Sequence, residues 1–235
     1  MNHILLFSFI SLSLQGIIVE HHCIRAIKSY IPATLNPKDV LIVLDLDDTV
    51  AMSILDPKIT PWFNKVLWPK DIPDVPFKHR FNYIVQLKPM EQCTLPFLKE
   101  LQKDGYPTII LTFRHASIAM RTHDQLTKLG IDFSNGLSLP NHTFMPPSMD
   151  PVPFHKGILL TSRQDKGLVL DHFIDQHKLA PKLVVFADDL IKNAQAVDSA
   201  MKAKKIDCVA IHHTKKRDHG ISKKIGRSLA AIFGY

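Results

Sequence analysis

The chain is poor in the residues that mark fibrous, disordered and disulfide-rich proteins. Its 235 residues include 9 glycines, 16 prolines and 3 cysteines. Glycine and proline at this level exclude collagen-like and low-complexity chains. An odd number of cysteines does not build a disulfide framework, so we expect Cys93 and Cys208 to be free buried thiols. With 46% apolar residues, the chain can bury one full domain core and a small insertion.

Long apolar runs are also scarce, and the one at the N-terminus is short for a membrane span. It extends from Ile4 to Val19, about sixteen residues, which is within the range of the apolar region of a signal peptide. No Lys or Arg precedes it, and no small-x-small cleavage site follows it. We expect residues 1–22 to be a signal segment that exports the protein to the periplasm or the medium. An uncleaved membrane anchor and an ordinary N-terminal helix are the alternatives.

Positive charge is concentrated near the C-terminus. The formal net charge is +7, and Lys and Arg cluster in residues 202–227. No aromatic residue interleaves with this cluster as a base-stacking platform requires, so we expect no nucleic-acid partner. The apolar spacing within residues 215–235 predicts a basic amphipathic helix, which more often docks on its own domain than on a membrane. Membrane contact through residues 4–19 or through this basic tail stays open.

Apolar runs and helical patterns alternate along the rest of the chain. Between the runs, apolar residues recur every three or four positions, and Gly105 and Gly130 stand where helix C-terminal caps are expected. Strands that alternate with helices of this length predict a parallel sheet covered on both faces, so the fold class is α/β, doubly wound. The predicted strands are Val40–Leu44, Thr108–Leu111, Gly157–Leu160, Leu183–Phe186 and Cys208–Ile211.

Two segments interrupt this alternation. The first, residues 53–89, is rich in proline and aromatic residues and begins where the first strand ends in acids. We expect it to be an insertion that overhangs this strand end as a cap. The second, residues 133–155, contains Asn-Gly and Pro-Pro turn signals and predicts an irregular hairpin or loop. The predicted core thus comprises residues 38–52 and 90–214.

Charged and polar residues follow the strands at the points where they end. Because the carboxyl ends of parallel strands meet at one edge of a sheet, we expect these side chains to lie together. Carboxylates packed together repel one another, so a cation or a substrate is expected to complete the cluster. The residues are Asp45 and Asp47 after the first strand, Thr112 and Arg114 after the second, Lys166 after the third, and Asp188 and Asp189 after the fourth.

These residue types suit the hydrolysis of a phosphate ester. Mg²⁺ prefers hard oxygen ligands, and together with a lysine it would neutralise phosphoryl oxygens. One Asp can attack phosphorus to form an aspartyl-phosphate, and the Asp two residues later can act as general acid and base. Thr112 can donate a hydrogen bond to a phosphoryl oxygen. Arg163 lies close enough in sequence to replace Lys166, and Arg114 is either a substrate contact or a surface residue.

In their order along the chain, these motifs resemble those of the haloacid dehalogenase (HAD) superfamily of phosphohydrolases. The resemblance covers residues 38–214 and implies a Rossmann-like sheet with the first strand central and a C1-type cap at residues 53–89. The long apolar N-terminus is similar to that of exported bacterial acid phosphatases of this superfamily. The four corresponding motifs are Asp45-Leu46-Asp47-Asp48-Thr49-Val50, Thr112, Lys166 and Asp188-Asp189.

The resemblance also implies a role for each of these residues. Asp48 replaces a glycine that is frequent in the superfamily, and Asn193 stands where some members have a further Asp. These two departures concern the turn after the nucleophile and the outer shell of the metal. The implied roles are Asp45 as nucleophile, Asp47 as general acid and base, Thr112 and Lys166 as phosphate-binding residues, and Asp45, the Asp47 carbonyl, Asp188 and Asp189 around Mg²⁺.

The sequence thus predicts a Mg²⁺-dependent phosphomonoester hydrolase that acts on a small phosphorylated substrate through an aspartyl-phosphate on Asp45. A phosphotransferase with the same intermediate is one alternative. A non-catalytic exported binding or effector protein on a HAD scaffold is the other, although such a protein is expected to have lost the nucleophile. Neither the substrate nor the oligomeric state can be derived from the sequence.

Overall fold

The structure, a computed structural model that describes residues 16–54 and 77–215, is built on one eight-stranded sheet. Two further strands, β3 (Ala51–Ile54) and β4 (Gln86–Pro89), form a separate antiparallel pair. The strands of the large sheet are β1 (Ile17–His21), β2 (Val40–Leu44), β5 (Thr108–Thr112), β6 (His142–Phe144), β7 (Val152–His155), β8 (Ile158–Leu160), β9 (Leu183–Asp188) and β10 (Asp207–His213).

The large sheet has the order β1-β10-β9-β2-β5-β8-β7-β6. Its first six strands are parallel to one another, and β7 and β6 continue it as antiparallel strands. Strand β2 lies between β9 and β5, and all five of its residues are buried, which explains its continuous apolar run. The sequence therefore places the first acidic motif at the end of a central strand.

Helices cover both faces of this sheet. On one face, Phe97 and Leu126 pack with Ile42 of β2 in one apolar cluster. On the other face, Phe173 and Val197 pack with Val43 of the same strand in a second cluster. This alternation along β2 produces the two-layered core of a doubly wound fold. The helices are α1 (Phe77–Ile84), α2 (Thr94–Lys103), α3 (Ala119–Lys128), α4 (Lys166–Gln176) and α5 (Ile191–Ala203).

The predicted fold class is confirmed, and each predicted strand is present. The irregular segment 133–155 contains the antiparallel strands β6 and β7, which the sequence indicated only as a hairpin or loop. Cys208 is a free buried thiol as expected, whereas Cys93 is only half-buried.

The predicted N-terminal segment overlaps the core. We expected residues 1–22 to be a separate signal or anchor segment, but Ile17–His21 forms β1 and pairs in parallel with β10 along its whole length. Val19 packs against the first apolar cluster. Gly16, immediately before β1, has no room for a side chain, since a Cβ there would lie 2.0 Å from the Asp198 Oδ1 atom. The last part of the apolar N-terminus is therefore a sheet strand, and residues 1–15 lie outside the described residues.

The insertion leaves and rejoins the core through paired strands. Strand β3 follows the first acidic motif, and β4 runs antiparallel to it on the return, with Met52 opposite Lys88. The cap predicted at residues 53–89 thus begins and ends on a two-stranded ribbon, and its residues 55–76 lie outside the described residues. The basic helix predicted at residues 215–235 also lies outside them, except for Lys215.

Within residues 16–54 and 77–215, none of the helices combines the length and the apolar composition that a membrane span requires.

Deleting residues 1–22 should destabilise the protein more than deleting residues 1–15, because only the longer deletion removes β1 and exposes the edge of β10. We expect the two free energies of unfolding to differ by about 2 kcal/mol. This is the contribution of a few backbone hydrogen bonds, reduced by the conformational entropy that β1 loses when it is ordered in the sheet. Chemical denaturation of the two variants measures it. Equal unfolding free energies would contradict the place of β1 in the sheet.

Candidate active site

The acidic motif after β2 begins with a buried carboxylate at the edge of the sheet. Asp45 is 5% exposed, and its backbone N–H donates to the Ala187 carbonyl of β9 at 2.9 Å. The chain then turns sharply, with Asp48 at φ 67°. Left-handed backbone favours glycine but also accepts Asp and Asn, whose short polar side chains tolerate it. The replacement of the frequent glycine by Asp48 is therefore compatible with the turn that presents Asp45 and Asp47.

Lys166 joins this strand end to that of β9. It is 1% exposed, and its Nζ atom lies 2.5 Å from Asp45 Oδ1 and 2.7 Å from Asp188 Oδ2. Its position follows from helix α4, which starts at Lys166 and is capped by Asp165, whose side chain accepts the Leu168 N–H at 2.9 Å. The structure thus brings together three of the residues that the sequence motifs indicated.

The cluster carries more negative than positive groups. Burial raises the pKa of Asp45 well above its ordinary value; Lys166 opposes this shift, while Asp188 and Asp189 add to it. Burial alone would lower the pKa of Lys166, but Asp45 and Asp188 outweigh it and raise that pKa. Both shifts favour the protonated forms, as expected where carboxylates outnumber cations.

Asp189 lies beside this cluster and has an altered acidity of its own. Burial, followed by the negative charges of Asp188 and Asp48, raises its pKa to about 7. Carboxylate oxygens of Asp45, Asp188 and Asp189 all lie within 4.8 Å of one another. A divalent cation that binds hard oxygen ligands would supply the missing positive charge, so this donor set fits Mg²⁺.

Asn193 holds Asp188 in place, a role that the sequence left undefined. Its Nδ2 atom donates to both carboxylate oxygens of Asp188 at 3.0 Å, and the Leu190 N–H donates to Asp188 Oδ1 at 2.8 Å. Asn193 is buried in the first turn of α5. An Asn at this place provides two donor hydrogens where an Asp would add a further negative charge. The sequence signal that could have indicated this role was the position of Asn193 in the first helical turn after Asp188-Asp189.

Arg114 is buried against Asp47 and is not a surface residue. It is 1% exposed, and its Nε and Nη2 atoms lie 2.8 Å and 2.9 Å from the two carboxylate oxygens of Asp47. Its Nη1 atom donates to Gln125 Oε1. Since these contacts engage all three guanidinium nitrogens, the surface alternative for Arg114 is wrong. The structure thus pairs Arg114 with Asp47, and its contact with a substrate stays a prediction.

Gln125 extends this connection to the insertion. Its Nε2 atom donates to the Val85 carbonyl at 2.6 Å and to the Asn82 carbonyl at 3.0 Å. A chain of polar contacts therefore runs from Asp47 through Arg114 and Gln125 to the end of α1. Sequence reasoning missed it because residues far apart along the chain make each contact.

Thr112 ends β5 inside the same edge. It is 1% exposed, and its Oγ1 atom accepts the Arg114 N–H at 3.3 Å. Its carbonyl accepts the Thr161 N–H at 2.9 Å, which extends the pairing of β5 and β8 beyond their ends. Thr112 therefore lies on the strand next to Asp45, as the motif order predicts.

A cavity of about 380 Å³ opens over these residues in the part of the chain that the structure describes. Lys166 is not among its lining residues, since it lies behind Asp45, whereas Arg163 and Lys192 are. Lys192 was missed by the sequence reasoning, although a basic residue in the first turn after Asp188-Asp189 was a usable signal. The lining includes Asp45, Asp47, Thr112, Arg163, Asp189 and Lys192.

Three solved structures resemble the chain at low identity. The HAD domain of the Legionella pneumophila effector protein Lem4, an inactive mutant, has 13% identity and a TM-score of 0.42, with 81% of this chain and 92% of that chain covered. A haloacid dehalogenase-like hydrolase from Streptococcus pneumoniae has 16% identity and a TM-score of 0.38, with 73% and 93% covered. The class C acid phosphatase from Bacillus anthracis has 16% identity and a TM-score of 0.39, with 83% and 75% covered.

Because each TM-score is below 0.5, these structures are not used to assign the fold. The fold class is assigned from the sheet order and strand register of the chain itself. A search of curated protein sequences finds no match. A family model described as "Protein of unknown function (DUF2608)" matches residues 20–231, a range that includes the last two residues of β1, all of β2 through β10 and every residue of the site above. The chain therefore belongs to the DUF2608 family.

Proposed function

We propose that the protein is a Mg²⁺-dependent phosphomonoester hydrolase that acts through an aspartyl-phosphate on Asp45. The observation that carries this proposal is the placement of Asp45 at the end of the central strand, against Lys166 and beside Asp188 and Asp189. A nucleophilic carboxylate, a cation and two further hard ligands then lie together beside one cavity, as phosphoryl transfer requires.

The first chemical step would take place at Asp45. A carboxylate oxygen of Asp45 attacks phosphorus, the bond from phosphorus to the ester oxygen breaks, and Asp47 gives a proton to the leaving alkoxide. Bound Mg²⁺, held by Asp45, Asp188, Asp189 and the Asp47 carbonyl, would neutralise charge on the phosphoryl oxygens. Lys166, already paired with Asp45, adds a second positive charge near the reacting oxygen.

The second step would release the phosphate. Asp47 takes a proton from a water molecule, the water oxygen attacks the phosphorus of the aspartyl-phosphate, and the bond to Asp45 breaks. Inorganic phosphate leaves and Asp45 is restored as a carboxylate. The Arg114 ion pair fixes the orientation of the Asp47 carboxylate for this proton transfer.

The substrate would be a small phosphorylated molecule bound in the cavity over Asp45. Thr112 can donate a hydrogen bond to a phosphoryl oxygen, and Arg163 and Lys192 line the same cavity. Lys166 and Arg163 thus take different parts in this proposal. Lys166 holds the nucleophile, and Arg163 lines the cavity that the substrate would enter.

Asp45→Asn should abolish activity toward a generic aryl phosphate, because the amide cannot serve as the nucleophile. We expect a loss on the order of a thousandfold or more in kcat. EDTA should remove the activity of the unchanged protein, and Mg²⁺ should restore it. The measurement is release of inorganic phosphate, repeated with an added alcohol as acceptor to detect transfer.

Asp48→Asn is the matched control for this experiment. It makes the same chemical change three residues away, and Asn also tolerates the left-handed backbone found at Asp48. We expect the control to keep its activity within about tenfold. Full activity of Asp45→Asn, or full activity in EDTA, would disprove the mechanism, and transfer to the alcohol in place of hydrolysis would assign a phosphotransferase.

Arg114→Lys should lower kcat about 10- to 100-fold with little change in KM, because lysine cannot hold both oxygens of Asp47. Arg121→Lys is the matched control, since it makes the same change at a residue of α3 whose Nε atom donates to the Tyr83 carbonyl. Steady-state kinetics separate kcat from KM. A raised KM with unchanged kcat would mean that Arg114 contacts the substrate.

We also propose export through the apolar N-terminus. Because β1 begins at Ile17, removal of residues through 22 would take a strand from the sheet, so a cleavage before Gly16 is expected. N-terminal sequencing of the mature protein tests this. A mature N-terminus beyond His21, or an intact Met1 on protein recovered from the cytoplasm, would contradict it.

A further inference from the structure

Two half-buried cysteines face one another outside the proposed active site. Cys23 precedes the short 3-10 helix Ile24–Tyr30, and Cys93 precedes α2. Their Sγ atoms lie 3.7 Å apart, although 70 residues separate them in the sequence. The Cys93 Sγ atom also lies 3.5 Å from Glu91 Oε2. Two thiols and a carboxylate oxygen therefore share one small space.

Other contacts hold Glu91 in this orientation. Its Oε1 atom accepts the Ile24 N–H at 2.9 Å and the Nε2 of His213 at 3.0 Å. The His213 side chain is fully buried, and since a carboxylate only accepts, the Nε2 atom carries the hydrogen. Because Oε1 accepts both of these hydrogen bonds, Oε2 is the oxygen that faces the thiols. Carboxylates that bind a metal are themselves held by hydrogen bonds from neighbouring groups, and Glu91 has two such donors.

The distances match those of a tetrahedral metal site. Zinc binds sulfur at about 2.3 Å and carboxylate oxygen at about 2.0 Å, so at tetrahedral angles two sulfurs lie about 3.8 Å apart and a sulfur and an oxygen about 3.5 Å apart. The observed separations are 3.7 Å and 3.5 Å. One ligand atom from each of the three residues lies within 4.8 Å of the others.

We propose that Cys23, Cys93 and Glu91 bind one Zn²⁺ ion, with a fourth position open to water. Thiolates are soft ligands that favour zinc, whereas the all-oxygen set at Asp45, Asp188 and Asp189 favours Mg²⁺, so the two sites select different metals. The site needs no part of the phosphatase proposal. It connects the segment after β1 to the start of α2 and thus fastens the N-terminal strand to the core.

Binding would release protons. Zn²⁺ displaces one proton from each thiol, so two Cys–SH groups and Zn²⁺ become a zinc dithiolate and two protons. Burial, then the hydrogen bond to Cys23 and the charge of Glu91, raises the pKa of Cys93 to about 12, so the metal has to displace a proton from this thiol. Zinc affinity should consequently fall as the pH is lowered.

The test uses the untagged full-length chain purified with reductant and without chelator. We expect one zinc per chain by elemental analysis and, after exchange for Co²⁺, a thiolate-to-cobalt charge-transfer absorption. Cys23→Ser with Cys93→Ser should lose both signals, and Glu91→Gln should weaken zinc binding about tenfold or more. Cys208→Ser is the matched control, since Cys208 is buried in the other apolar cluster, and it should keep both signals.

A second readout concerns stability. A chelator should lower the thermal unfolding midpoint of the unchanged protein and of Cys208→Ser, and Zn²⁺ should restore it, whereas the double cysteine variant should not respond. Asp45→Asn should bind zinc as the unchanged protein does, so failure here is separate from failure of the phosphatase proposal. Absence of zinc, zinc retained by the double variant, or a Cys23–Cys93 disulfide in protein that binds no zinc would each overturn the proposal.

Discussion

The buried pairing of Lys166 with Asp45 and Asp188 is the interaction on which the rest of the site depends. Three ionisable side chains that are almost fully buried would be costly without compensation, and each supplies part of the compensation for the others. Their geometry is set by three different elements: the end of β2, the end of β9 and the first turn of α4. The sheet therefore has to form correctly before the charges can be buried.

The surrounding polar residues complete this arrangement. Asn193 and the Leu190 N–H fix Asp188, and the Arg114 guanidinium fixes Asp47. The insertion reaches the same network through Gln125, so Asp47 is tied to the segment that borders the cavity. A site held by such contacts is pre-organised, which lowers the entropic cost of bringing reacting groups together.

The same topology gathers two clusters of metal-binding side chains that differ in chemistry. The acidic cluster lies where parallel strands end, and its oxygen donors suit a hard cation. The Cys23, Glu91 and Cys93 cluster lies where the N-terminal segment meets the start of α2, and its sulfur donors suit zinc. The first is proposed to serve catalysis and the second to hold β1 and its neighbours against the core.

Local patterns in the sequence determined the strands, the helices and the acidic motifs. The buried run at β2 and the alternation of strands with helices were sufficient to predict a doubly wound sheet, since periodicity depends on neighbouring residues. The same patterns could not reveal β1, because an apolar strand at a sheet edge and an apolar signal segment have similar compositions.

Only the tertiary structure decided how distant residues meet. It paired Arg114 with Asp47, assigned Asn193 to Asp188, and placed Cys23 against Cys93. Each of these contacts joins side chains from separate elements, and the distance between them depends on how those elements pack. The order of the motifs along the sequence therefore determined the residues of the site, and packing determined their contacts.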